Sequence, residues 1–181
     1  MISPPLVQRA LVLAEEQRFE RSCIAEVGQL LHVLASSRGC RRVAEIGTGC
    51  GVGTAWLASS LPPGVPLFTV ELDDERAAAV AELFQDDGDV HVLAGDWREL
   101  LPPQAPFDLV FFDAAKQLRP REDGELVVGL LAPGGLALLD DLTPARPAPD
   151  PIREFWLGHP QLAAVELLTT PTTAAILAAR R

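Results

Sequence analysis

Short apolar runs alternate with amphipathic stretches through most of the chain, and turn residues separate them. Residues 42–46, 67–72, 90–94, 107–112 and 135–139 are β-branched or apolar runs of the kind that form strands buried on both faces. Residues 52–61, 74–85 and 122–131 have helical character between them. The second of these opens on acids, which the helix dipole favours, and Pro133-Gly134-Gly135 ends the third. Repeated alternation of this kind predicts an α/β fold, a doubly wound and mostly parallel sheet whose strands are joined by right-handed helical crossovers. After residue 142 the order changes to a Pro-rich loop, a short helix around 152–157 and two strand-like runs, 163–168 and 173–179. A Thr-Pro turn between the two runs makes them an antiparallel hairpin. Residues 5–18 and 22–37 form two amphipathic helical segments ahead of the first strand. The reading is one domain over 1–181, with N-terminal helices (1–40), a ligand-binding core (41–142) and a short helix with the C-terminal hairpin (143–181).

The most specific stretch joins the first strand to the first crossover helix, Glu45-Ile46-Gly47-Thr48-Gly49-Cys50-Gly51-Val52-Gly53-Thr54. Glycines there let the backbone turn tightly and approach a ligand closely, but many dinucleotide sites share such a turn. Two acids sharpen the reading. Glu45 stands two residues before Gly47, where it would repel a phosphate and suit a cationic ligand. Glu71, followed by Leu72, ends the next strand, placed to accept from ribose hydroxyls. A nucleoside joined to a positively charged amino acid describes S-adenosylmethionine, and the alternative is a Gly turn with a solvated acid. Gly95-Asp96-Trp97 ends the third strand, where Asp96 could accept from an adenine amino group beside the indole. Equally, Asp96 could cap a helix starting at Trp97.

Composition narrows the partners. The chain has 181 residues, 25 acids against 15 bases, and a formal charge of −10. With its arginines scattered, it is a poor ligand for nucleic acid. The N-terminal stretch has no signal-peptide pattern, and no apolar window is long enough for a bilayer, so a cytoplasmic protein without a membrane partner is expected. Cys23, Cys40 and Cys50 form no CxxC pair and read as packing residues. His32, His91 and His159 show no catalytic ordering. Phe155 and Trp156 could wall a substrate pocket or pack in the core. Of the 15 bases, 14 are Arg and one, Lys116, is Lys. It follows the fourth strand, where it is either a surface lysine or a group whose ability to lose a proton matters.

These residues together resemble the class I S-adenosylmethionine-dependent methyltransferases, and more narrowly the catechol and caffeoyl-CoA O-methyltransferases. The likeness runs through VGQLLHVLA (27–35), AEIGTGCGVGTAWLA, FTVELD, LAGDW, FDLVFFDAAK, LLAPGGLALLDDL and IREF (152–155). It implies a Rossmann-like fold of seven strands, the last antiparallel. The cofactor would be lined by Glu45, Gly47, Thr48, Gly49, Gly51, Gly53, Thr54, Glu71, Leu72, Asp96, Trp97 and Asp113. FFDAAK implies that Asp113 is both a metal ligand and adjacent to the cofactor, and that Lys116 is the general base. LLDDL implies that Asp140 is a second metal ligand. Asp141 falls where the family usually has Asn. Three carboxylates offer only hard oxygens, which suits Mg²⁺, or Mn²⁺ or Ca²⁺, better than zinc. Adjacent strand residues point to opposite faces, so Asp140 and Asp141 can share one ion only if the backbone turns there.

The implied reaction is methyl transfer to a hydroxyl of a small catechol-like or phenolic acceptor. Metal-independent methyl transfer, or S-adenosylmethionine binding without catalysis, are the alternatives, and Glu45 opposes a nicotinamide enzyme. The loop after Asp141 is short beside the family, and TTPTT replaces a Gly-Asp-Gly type of hairpin turn. The resemblance also makes a homodimer an expectation.

Overall fold

The structure is a computed structural model, and it describes residues 3–37, 39–114 and 118–181. Two helices, α1 (Pro5–Glu16) and α2 (Ala25–Ala35), precede an alternating series. That series runs β1 (Val43–Ile46), α3 (Val52–Ala58), β2 (Leu67–Glu71), α4 (Asp74–Leu83), β3 (Val90–Ala94), α5 (Trp97–Leu100), β4 (Phe107–Phe112), α6 (Pro120–Leu130) and β5 (Leu131–Leu142). The chain closes with α7 (Pro151–Gly158), β6 (Leu162–Leu168) and β7 (Ala174–Arg180). The seven strands form one sheet in the order β3-β2-β1-β4-β5-β7-β6. Only β7 runs against its neighbours, pairing antiparallel with both β5 and β6. The expected doubly wound, mostly parallel α/β sheet with its C-terminal hairpin is therefore what the chain forms.

Alternation along the central strands divides the core. Val110 and Phe112 of β4 pack with Val127, Ile152 and Trp156 from α6 and α7. Leu109 and Phe111 face the other way, against Val7, Leu31 and Trp56 from α1, α2 and α3. Both faces are covered, which is why these strands read as continuous apolar runs. Phe155 and Trp156, which could have walled a pocket, belong to the first of these clusters.

Two departures from the sequence reading have local causes. The helix expected over 52–61 stops at Ala58, whereas the short helix that Asp96 could cap does form, over Trp97–Leu100. Pro133-Gly134-Gly135 ends no helix: α6 stops at Leu130 and β5 has already begun at Leu131. The ladder jumps from Phe107 opposite Leu131 to Leu109 opposite Leu136, so the Pro-Gly-Gly residues lie in a bulge of the strand.

Sheet order carries the functional consequence. The chain leaves β1 toward β2 on one side and returns to β4 on the other, so the carboxyl ends of β1 and β4 flank the point where the winding reverses. Ligands of doubly wound sheets bind at such a point.

Candidate functional site

A cavity of about 560 Å³ opens over the carboxyl ends of β1, β2, β3 and β4. Its floor is the turn after β1. Gly47 has a φ of +96°, and a Cβ there would lie 2.4 Å from the carbonyl oxygen of Asp113. Only glycine permits this turn and brings the ends of β1 and β4 together. Gly53 lies against Glu45, where a Cβ would stand 2.3 Å from Oε1.

Glu45 is 1% exposed, yet it borders the cavity. Its Oε2 accepts from the hydroxyls of Thr54 and Thr69, the latter at 2.6 Å, and the Thr48 and Thr69 hydroxyl oxygens are also 2.6 Å apart. Burial pushes its pKa up to about 8, against the lowering effect of the Thr54 and Thr69 hydrogen bonds. A cation in the cavity would favour the ionised form. Thr54 does not line the cavity: fully buried, it turns inward to hold Glu45. Gly51 is also off the wall, packed against Val80 and Phe84 as it caps α3.

Glu71 stands on the opposite side of the same turn. Oε2 accepts from the Gly49 N–H at 2.9 Å, while Oε1 accepts from the Asp73 N–H at 3.1 Å and pairs with Arg76 Nη1 at 2.8 Å. Leu72 follows with 76% of its surface exposed, an apolar edge to the cavity. At the end of β3, Asp96 does cap the next helix, accepting from the Arg98 N–H at 2.9 Å, and it also lines the cavity. Trp97 is buried against Phe112, its ring beneath the Arg98 guanidinium at 4.9 Å.

Asp113 directly follows β4, and Asp140 and Asp141 lie near the end of β5. One carboxylate oxygen from each of the three lies within 4.8 Å of the others. The backbone supplies the turn that two adjacent strand residues need. Leu139 pairs with Ile176 and Leu142 with Ala174, so β5 carries one extra residue there. Asp141 takes it up at φ +60°, a conformation that Asp and Asn tolerate better than most residues. All three donors are carboxylate oxygens, a set whose chemistry fits a hard divalent cation. Lys116 lies outside the described residues.

Several cavity residues carried no signal in the sequence. The segment between α1 and α2 roofs the cavity with Phe19, Arg21, Ser22 and Cys23. Phe19 covers Gly49 and stacks with Arg76 at 5.0 Å and Arg21 at 6.0 Å. The Ser22 hydroxyl is buried with no hydrogen-bond partner among the described residues, a condition that costs about 1–3 kcal/mol. Cys23 is a buried thiol whose pKa is raised first by burial and then by the charges of Asp113, Asp140, Glu45 and Asp141. From α6, Asp123 grips Arg98 through two hydrogen bonds of 2.8 and 2.7 Å. Cys23 and Cys50 border the cavity, Cys40 does not, and all three are free thiols. None of the histidines borders it: His32 packs on Trp56, His91 on Phe68, and His159 pairs with Glu125.

A family model described as a methyltransferase domain matches residues 44–142, more than half of the chain. The chain belongs to that family. This methyltransferase-family chain is 35% identical over 119 residues to a protein of Mycobacterium tuberculosis named catechol O-methyltransferase, covering 62% of this chain and 54% of that one. It spans only about half the length of the curated relatives it matches. Among solved structures it resembles TomG, an O-methyltransferase of Streptomyces achromogenes bound to S-adenosylmethionine. The TM-score there is 0.81 at 27% identity, over 99% of this chain and 91% of TomG. An O-methyltransferase of Bacillus cereus with S-adenosylhomocysteine shares the fold at a TM-score of 0.83 and 23% identity, over 100% and 93% of the two chains. Among the described residues, no helix is long and apolar enough to cross a membrane.

Proposed function

We propose that the protein is an S-adenosylmethionine-dependent O-methyltransferase that methylates a hydroxyl of a small catechol-like or phenolic acceptor with the help of a divalent cation. The observation that carries this reading is the acidic cluster of Asp113, Asp140 and Asp141 at the edge of the cavity formed by the glycine turn, Glu45 and Glu71. The relative named catechol O-methyltransferase supports the acceptor class.

When bound, S-adenosylmethionine supplies a methyl group on a sulfonium, and its transfer needs alignment of the acceptor oxygen more than new covalent chemistry. Glu45 balances the ammonium of the cofactor, Glu71 accepts from the ribose hydroxyls, and Asp96 with Trp97 receives the adenine. Asp113, Asp140 and Asp141 would hold Mg²⁺, or Mn²⁺ or Ca²⁺, which lowers the pKa of an acceptor hydroxyl. Lys116, three residues after Asp113, receives the proton that the hydroxyl gives up, a task open to lysine and closed to arginine. Phe19 and Leu72 shield the cofactor from water.

The test is methyl transfer from S-adenosylmethionine to a panel of catechols, with and without chelator, using wild type and Lys116→Ala. Turnover that falls at least 100-fold on chelation and in the variant, with S-adenosylhomocysteine binding retained, supports the mechanism. Turnover indifferent to both removes metal and lysine from it. Binding without turnover of any acceptor points to a module that holds the cofactor without catalysis.

A further inference from the structure

We propose that Asp123 is a positioning residue for the purine of the cofactor: acting through Arg98, it fixes the Asp96 carboxylate and the Trp97 indole, and so makes the cavity select a 6-amino purine over a 6-oxo one. The inference rests on the adenine end of the site proposed above and adds to it a residue from a distant element, α6.

Asp123 is 2% exposed and sits in the first turn of α6, where the helix dipole favours a carboxylate. The helix is closely seated, since a Cβ on Gly124 would stand 2.4 Å from the Phe155 ring of α7. Both Asp123 oxygens accept from Arg98, Oδ1 from Nε at 2.8 Å and Oδ2 from Nη2 at 2.7 Å. A buried ion pair adds little stability over well-packed apolar residues, so stability alone gives no reason for this one. Its place does: Asp96, Trp97, Arg98 and Asp123 all border the cavity.

On its other side Arg98 holds the residues proposed for the adenine. Nη1 donates to Oδ1 of Asp96 at 3.2 Å and to Oδ2 at 3.4 Å, and the guanidinium carbon sits 4.9 Å over the Trp97 ring. The helix that carries Trp97 and Arg98 is four residues long, too short to keep its own geometry. It is held from outside by the Asp96 cap, which takes the Arg98 N–H at 2.9 Å, and by the two bonds to Asp123. Oδ1 of Asp96 thus accepts twice from Arg98, while Oδ2 has the one 3.4 Å bond and the side chain keeps 41% of its surface. Oδ2 is the acceptor left for an exocyclic amino group. A 6-oxo purine would set a carbonyl against it, two acceptors with no hydrogen between them.

The experiment measures dissociation constants for S-adenosylhomocysteine and S-inosylhomocysteine, its 6-oxo analogue, in the wild type, Asp123→Asn, Arg98→Gln and Arg98→Lys. The melting temperature of each ligand-free protein is taken alongside. Wild type should prefer the adenine compound about 100-fold, as expected when a hydrogen bond to a charged acceptor is replaced by an unpaired acceptor. Asp123→Asn and Arg98→Gln should cut that preference to a few-fold by weakening S-adenosylhomocysteine, and should raise KM for S-adenosylmethionine more than they lower kcat. Arg98→Lys, which keeps the charge but not the fork, should retain a preference of about tenfold. Variants that bind both compounds more weakly by the same factor mark a purely structural ion pair and overturn the inference, as do variants with wild-type affinity for S-adenosylhomocysteine. Should the two neutral variants fail to fold, Arg98→Lys decides alone, and a preference still near that of wild type overturns it. Equal binding of the two compounds by the wild type takes Asp96 off the adenine and overturns the inference while leaving methyl transfer in place. A wild type that binds neither sinks the cofactor reading and this inference together.

Discussion

The two ends of the cavity are built by different means. At the end proposed for the cofactor, residues 45–53 form one continuous stretch from the end of β1 through the glycine turn into α3, and its geometry is set by backbone. Gly47 lets β1 and β4 meet, and the Gly49 N–H anchors Glu71. At the end proposed for the acceptor, Asp113 and the pair Asp140 and Asp141 arrive from the ends of two separate strands. A backbone-built site tolerates little change in its own residues but is short and legible. A site assembled from distant side chains can be altered one group at a time, and this is how one fold serves many acceptors.

The sharpest way to break the comparison is Gly47→Ala. Its Cβ would press on the Asp113 carbonyl at a φ that alanine resists, so both ends should fail at once. Binding of S-adenosylhomocysteine is expected to fall more than 100-fold, with a stability loss of about 2–4 kcal/mol in thermal unfolding. A smaller loss in both, with turnover retained, would show that the two strand ends need not touch.

Asp140→Asn should separate the ends. The residue is 3% exposed, and its neutral isostere keeps the shape while removing a charge from the cluster. Turnover should fall about 10–100-fold and recover partly at high Mg²⁺, while S-adenosylhomocysteine binds within about twofold of wild type. Asp141→Asn, which restores the residue usual in the family, should cost less than about threefold because Asn accepts the same left-handed backbone.

Glu45→Gln should act on stability, and its effect should change with pH. The carboxyl of Glu45 titrates near 8 in the folded chain against an ordinary value of 4.5. Between those values the folded state holds a proton that the unfolded state has lost, so stability declines as pH rises across the window. The variant should therefore melt several degrees above wild type at pH 9 and match it at pH 4. Cofactor binding at pH 7 should release protons in the wild type, and much less in the variant, when heats are compared in buffers of different ionisation enthalpy. An unchanged melting difference across pH would mean that Glu45 does not titrate in this range.

Much of the architecture could be read before folding was considered. The apolar run at 107–112 became a strand at those bounds, because a strand buried on both faces must be largely apolar; the run at 90–94 also became a strand, but as the half-buried edge of the sheet with His91 and Ala94 exposed. Pro133-Gly134-Gly135 was misleading because a Pro-Gly-Gly run suits a strand bulge as well as a helix end, and only pairing with β4 decides between them. Thr54, expected at the cofactor, faces inward because the buried Glu45 needs its hydroxyl more than the cavity does.

The amino-acid order determined by itself the strand and helix alternation, the glycine turn and the acids that end β1 and β2, since these follow from local periodicity and from residues close in sequence. Tertiary structure alone decided three things: that adjacent Asp140 and Asp141 converge, that Arg76 and Arg98 are consumed by carboxylates, and that the segment between α1 and α2 roofs the cavity. Each depends on which distant segments the sheet order brings together. Side-chain partners across such distances leave no periodic trace, because the chain between them is free to vary.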